Sequence, residues 1–234
     1  MKKFYKNATI LKSELEPRYY ILLDRNRLKT PKGRLVEVPN IYMAEAILKE
    51  WLDQTDKIVL NDMPLTQLAV RAIDLVQPDI NVYVNEIAAY GNTDLVCYRS
   101  SGPNSLVSKQ SMLWQPLIDW LAEEYSLPLS VTVSISPVLQ PLETLEGLHN
   151  LLIKYSAFEL ASLGSATMAS GSLVIALALC RGKINVKSAF EASFLDEIWQ
   201  NEKWGYDEET ERRQQNVYKD LEAAYIFIEL YQKT

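Results

Sequence analysis

Leu35-Val36-Glu37-Val38-Pro39-Asn40-Ile41-Tyr42-Met43-Ala44-Glu45-Ala46-Ile47-Leu48-Lys49-Glu50-Trp51-Leu52 is where the chain changes its grammar. Leu35 to Val38 is a short branched run, the composition of a strand. After Pro39, the residues Ile41, Ala44, Ile47, Leu48, Trp51 and Leu52 fall on one face of a helix. Asn40 is a residue type that caps helix N-termini, because its side-chain oxygen accepts an otherwise orphaned backbone N–H. The stretch therefore predicts a boundary between a β-rich head and a helical body.

Upstream of it, Tyr19-Tyr20-Ile21-Leu22-Leu23 is aromatic and branched, and Asp24-Arg25-Asn26 supplies turn chemistry. Leu28-Lys29-Thr30 continues as a strand, Pro31-Lys32-Gly33 is a second turn, and Lys6 to Leu11 adds a further strand. An antiparallel meander is the economical reading. Downstream, Lys57 to Leu60 reads as a short strand, Pro64 as the first turn of a helix and Pro78 as the opening of another, to Tyr90. Thr93 to Arg99 reads as extended or loop, and Ser100 to Ser105 as a break. A long helix follows to Tyr125, with Pro116 expected to kink or split it. Leu129 to Ile135 alternates like a strand, and helices are expected at about 143–155, 157–180, 186–200 and 207–232. Gly182 and Gly205 mark stops, and Glu208 with Arg212 and Glu209 with Arg213 are favourably ordered (i, i+4) pairs. The fold class expected is α+β: a small N-terminal antiparallel β-rich domain over 1–60, then a larger all-α helical bundle domain over 61–234.

The 234 residues are 48% hydrophobic and 23% charged, enough to bury a core. A net charge of -6 divides unevenly: residues 1–38 hold ten Lys/Arg against four Asp/Glu, leaving fourteen and twenty-six for the rest. A basic head on an acidic body argues against a general nucleic-acid binder, which needs a basic stripe on its main fold. An RNA- or ribosome-associated protein using the basic head is the alternative reading, tested by salt dependence. His149 is the lone histidine, so His-based metal sites and Ser-His-Asp triads are not expected. Cys97 and Cys180 form no CxxC pair and fit a reducing compartment. Phosphate-cradling, dinucleotide-binding, nucleophile-elbow and HExxH motifs are absent. No enzyme, no cofactor and no metal are expected. The first residues carry neither an apolar signal run nor an Arg-rich presequence. Leu160 to Cys180 is uncharged over twenty-one residues, but its serines and glycines suit a helix buried on all sides better than a membrane span.

One stretch invites a functional reading. Leu195 to Glu209 holds Trp199, Trp204, Tyr206 and six acids. Five residues on one helix turn a side chain by about 140°, so at least one Trp leaves the local core face. An exposed aromatic ringed by carboxylates is the anatomy of a protein-binding hot spot. The bland alternative buries both rings and uses Asp207, Glu208 and Glu209 only to complement the dipole of the last helix.

The residues also carry a resemblance. Phe4-Tyr5-Lys6, Leu23-Asp24 with Leu28-Lys29-Thr30-Pro31, Glu50-Trp51, Met63-Pro64-Leu65-Thr66 with Ala72-Ile73-Asp74, Thr93-Asp94-Leu95 with Cys97-Tyr98-Arg99, Trp114 with Pro116, Gly171-Ser172-Leu173 and the Trp199 to Glu209 stretch resemble the assembly chaperones that handle the α subunit of the F-type ATP synthase head. Order and spacing across the chain, not any single motif, carry the match; Gln115 departs from it, where an acid is usual. The resemblance implies an ATP-independent chaperone. The partner it implies is the free α subunit, whose β-facing surface such a chaperone would shield until assembly. It implies no nucleic acid, no stable membrane insertion and a monomeric carrier, bacterial and cytoplasmic here, with relatives in the mitochondrial matrix. On the family pattern Glu202 is the first partner-binding residue, with Trp199, Trp204, Gly205, Asp207 and Glu208. Leu28, Pro31, Trp51 and Gly171 are assigned structural roles.

Overall fold

The computed structural model describes residues 1–134, 136–205 and 208–233. By backbone contacts the chain divides into two units: Met1–Ile80 with Ser156–Ser162 and the residues from Ala223 onward, and Asn81–Tyr155 with Leu163–Glu222.

The first unit is built on the expected antiparallel sheet. β2 (Tyr19–Leu23) is its centre. β1 (Ala8–Lys12) pairs along one edge, with Ala8 opposite Leu23 and Lys12 opposite Tyr19. β3 (Asn26–Arg27) and β4 (Glu37–Val38) share the other edge. Ile21, Leu23, Val36 and Val38 are buried on one face, where α1 (Ile41–Leu52) packs with Met43, Ala44, Ile47 and Trp51. Asn40 caps α1 as expected, accepting from the Met43 N–H at 2.9 Å, and its amide also donates to the Leu230 carbonyl at 2.9 Å. Trp51 lies edge-on to Tyr5, whose hydroxyl donates to the Trp51 carbonyl.

Two buried carboxylates organise this unit. Glu50 accepts from the N–H groups of Leu65 and Thr66 at 2.7 and 2.8 Å and from the Thr66 hydroxyl at 2.6 Å, at the start of α2 (Pro64–Arg71). A carboxylate there satisfies orphaned donors and complements the helix dipole. Burial still raises the Glu50 pKa, against those hydrogen bonds. Asp74 lies in a π-helical turn, Ala72–Val76, and accepts from the Thr30 hydroxyl at 2.7 Å and the Lys32 N–H at 3.1 Å. Leu28 is buried, Pro31 is exposed, and Gly33 closes the turn at φ +81°. The turn after Leu28 and the Ala72-Ile73-Asp74 segment, separate in sequence, thus hold each other.

The remaining helices are α3 (Ile80–Ala88), α4 (Asn104–Tyr125), α5 (Leu142–Leu152), α6 (Ala157–Ser170), α7 (Leu173–Cys180), α8 (Val186–Ser193), α9 (Leu195–Trp204) and α10 (Glu208–Gln232). Every residue of α7 is buried. Its N-terminus is held by Ser172, which accepts from the Ile175 N–H, and by Asp94, which accepts from the Ser172 hydroxyl at 2.5 Å and from the N–H groups of Val174 and Val96. Asp94 is fully buried, and burial pushes its pKa up to about 6. Gly164 of α6 admits the Tyr83 hydroxyl of α3, which would lie 2.4 Å from an added Cβ.

Several expectations are corrected. Pro116 does not split α4; one missing N–H is outweighed by burial of Trp114, Leu117, Ile118 and Leu121. The helix expected over 157–180 is two helices, because Gly171 takes φ +70° and Ser172 starts α7 with a new cap. The one expected over 186–200 breaks at Phe194 into α8 and α9. The helix expected from Pro78 begins at Ile80, and the one expected over 143–155 ends as an α-helix at Leu152. The strand expected from Leu129 contributes only a bridge from Thr132 to Tyr98 among its described residues, and Ile135 lies outside them. Lys57 to Leu60 reduces to a bridge from Lys57 to Lys2. Arg213 pairs with Glu197, not with Glu209. No helix among the described residues is long and apolar enough to cross a membrane.

Candidate partner-binding site

The Trp-bearing acidic stretch rests on α4. Trp114 is buried and its indole N–H donates to the Ala192 carbonyl at 2.8 Å, fixing the end of α8. One turn earlier, buried Gln110 donates to the Asp196 carboxylate at 2.8 Å in the first turn of α9, while its oxygen accepts the Ser100 N–H. Arg99 donates to the Gln110 carbonyl and lies 5.3 Å from the Trp114 ring centre. Trp199 is 7% exposed, and its indole N–H donates to the Ser105 hydroxyl at 3.3 Å. The inner face of α9 is thereby pinned to α4 through its first half.

The other side of α9 is open. Trp204 is 75% exposed, its ring edge-to-face with Trp199 at 6.1 Å. Glu202 is half-exposed and pairs with Lys109 of α4 at 2.8 Å. The Lys203 ammonium lies 4.8 Å from the Trp199 ring centre. Gly205 ends α9 at φ +91°, a conformation that favours glycine, and its N–H donates to the Asn201 carbonyl. The first turn of α10 carries Glu208, Glu209 and Glu211. Arg213 ties α10 back to α9 through Glu197 and lies 5.3 Å from the Phe194 ring centre.

The structure thus brings Glu202, Trp204 and Gly205 together at the end of α9, turns Trp199 inward beneath them, and starts α10 at Glu208. Asp207 lies outside the described residues. Of the residues assigned structural roles, Trp51 and Leu28 are core, Pro31 sits in the turn held by Asp74, and Gly171 closes α6. Sequence reasoning missed Lys109 and Gln110, whose bonds to α9 cross 93 and 86 residues, and Arg99, which supports them through the Gln110 carbonyl and the Trp114 ring. It also missed Met112 and Leu113, which lie three and four positions beyond Lys109 and are 71% and 37% exposed. No local periodicity links α4 to α9, so no sequence signal pointed there.

The chemistry on offer is recognition. An exposed indole near an exposed ion pair suits a polypeptide surface. Among the described residues no group of three or more His, Cys, Asp or Glu is placed to hold a metal ion. Burial pushes the Cys97 thiol up to about 12, away from nucleophile chemistry.

Comparison with known proteins points the same way. The sequence model described as ATP12 chaperone protein matches residues 2–122. The mitochondrial protein atp12 of Schizosaccharomyces pombe is 25% identical over 217 residues, which cover 87% of this chain and 74% of that one. The crystal structure of Atp12 from Paracoccus denitrificans superposes with a TM-score of 0.91 at 34% identity, covering 99% of this chain and 98% of that one. A crystal structure of an Agrobacterium tumefaciens protein gives a TM-score of 0.91 at 31% identity, over 97% and 85%.

Proposed function

Because the chain belongs to the ATP12 chaperone protein family, we propose that it is an ATP-independent chaperone that binds the free α subunit of the F-type ATP synthase catalytic head. It shields the face that later meets a β subunit. The observation that carries this reading is Trp204, 75% exposed at the end of a helix whose other Trp is buried. A large ring left in water on a well-anchored helix is a candidate anchor for a partner.

The exposure and pairing of these residues support the following roles. Trp204 supplies the apolar anchor, with Met112 and Leu113 as further apolar area. Glu202 offers a carboxylate that can exchange Lys109 for a cation of the client, since exposed ion pairs contribute only roughly 0–1 kcal/mol. Glu208, and Asp207 on sequence grounds, steer a basic client surface, and Gly205 permits the turn between α9 and α10. Trp199 holds α9 in place. An isolated α subunit exposes an interface that self-associates unless it is covered. Release needs no nucleotide: a β subunit competing for the same face displaces the chaperone by mass action.

The test is capture of purified cognate α subunit by the full chain, comparing wild type with Glu202→Lys and with the swapped pair Lys109→Glu/Glu202→Lys. We expect wild-type capture and its loss in Glu202→Lys, which also sets two lysines against each other. Loss in the swapped pair too assigns the effect to the carboxylate at position 202; recovery assigns it to an intact ion pair. Equal capture by wild type and Glu202→Lys removes Glu202 from the site. No capture by wild type overturns the chaperone reading.

A further inference from the structure

The cross-strand register fixes which side chains share the outward face of the sheet, the face opposite α1. Thr9, Leu22 and Arg27 form one row, and Leu11, Tyr20 and Glu37 the next. The alternation continues past β3: Leu28 and Thr30 are buried and Lys29 between them is exposed, bridged to Leu35. This face is apolar and cationic together. Leu11 is 37% exposed, and Leu15, in the connection between β1 and β2, is 94% exposed. Tyr20, Leu22 and Leu35 are half-buried. The Arg27 guanidinium lies 4.4 Å from the Tyr20 ring centre.

Its charge is not balanced locally. Arg18 pairs with Glu16 and Glu37, and Arg34 approaches Asp74. Asp24 is occupied by the backbone N–H groups of Lys6 and Asn7, which hold its pKa down. Arg25, Arg27 and Lys29 have no carboxylate partner among the described residues. A face meant only for solvent intersperses both signs and few leucines; this one sets leucines among unpaired cations.

We propose that this outward sheet face is a second docking surface, which takes an acidic, partly apolar segment of the client polypeptide. Charge complementarity selects the acid, and Leu11, Leu15, Leu22 and Leu35 select the apolar part. Nucleic acid fits less well. Glu16 and Glu37 put carboxylates beside the cations, and the Tyr20 ring is already covered by a guanidinium, which leaves no open platform for a base. The inference rests on the chaperone reading and adds residues that reading does not use.

The test measures association of purified cognate α subunit with the full chain at low and high salt. The variants are Arg27→Glu/Lys29→Glu, the charge-conserving Arg27→Lys/Lys29→Arg, and Leu11→Ser/Leu15→Ser. We expect association about tenfold slower or more for the reversal at low salt, near wild type for the conserving pair, and weakened binding for the leucine pair. Should the reversal lose its far-UV circular dichroism, the leucine pair reads the same face without changing charge. Wild-type association by both the reversal and the leucine pair overturns the inference and leaves the chaperone reading standing. No association by wild type overturns both. A polyuridine probe that binds wild type but not the reversal, while α-subunit association is unchanged, replaces the client with RNA.

Discussion

Helices α1 and α9 both close on a glutamate and a tryptophan, Glu50 with Trp51 and Glu202 with Trp204, yet the two pairs have opposite fates. Glu50 and Trp51 are buried, at 9% and 5% exposure, whereas Trp204 is 75% exposed and Glu202 stands beside it in water. Residue type does not explain this. Glu50 faces three donors at the start of α2, so its carboxylate is satisfied inside the protein. Glu202 faces one lysine, itself exposed. A buried acid whose partners are all internal specifies the fold, while an exposed acid beside an exposed ring has a partner it can exchange. On the proposed reading, the contrast separates residues whose loss unfolds the protein from residues whose loss leaves it folded but unable to bind its client.

The sharpest way to break that contrast is at its buried end. Trp51→Ala removes a ring that packs on Tyr5 and the sheet, and we expect a loss of about 3–5 kcal/mol in urea unfolding, comparable with the low end of domain stability. A Trp51→Ala protein that stays fully stable but no longer captures the α subunit would mean that Trp51 belongs with Trp204.

Buried acids also leave a signature in pH. Burial raises Asp94 to about 6 from 3.8, so the folded state binds that proton more tightly than the unfolded chain. The associated stability is fully present below the unfolded value and is lost as pH rises through the folded one. Wild type should therefore lose about 3 kcal/mol in all relative to Asp94→Asn, most of it between pH 4 and 6. Glu50, also raised, shifts the same way and remains in both proteins, so the difference isolates Asp94. Parallel stability curves for the two proteins would show that Asp94 stays charged throughout.

Which of these features the sequence disclosed follows from the range of the interactions. Asn40, Pro64, Gly182 and Gly205 act on their own neighbours, and the boundaries they mark are where the periodicity put them. The head-and-body change at Pro39 is likewise local. The break at Gly171 was hidden because Leu160 to Cys180 is uniformly small or apolar, and what fixes the break is Asp94, 78 residues from Ser172. The alternation from Leu129 looked like a strand because periodicity says nothing about a pairing partner. At the candidate site, the five-residue spacing already required one Trp to leave the core. The one that stays inside, Trp199, bonds Ser105, 94 residues away, a partner that no local pattern encodes.

The smallest expected effect on stability tests the exposed end. Trp204 contacts Trp199 edge-on but buries little of its own area, so Trp204→Ala removes few interior contacts. Exposed substitutions of this kind change stability by about 0.5 kcal/mol or less. An exposed anchor can nonetheless contribute about 2 kcal/mol or more to a complex, roughly thirtyfold in affinity. We therefore expect urea midpoints for Trp204→Ala and wild type to coincide while capture of the α subunit falls at least thirtyfold. Trp199→Ala, by contrast, should lower both, since its ring lies beneath α9. If Trp204→Ala also lowers the midpoint in proportion to its binding loss, the indole is a structural group that happens to sit in water. The distinction between the two Glu-Trp helix ends would then be one of exposure alone and not of role.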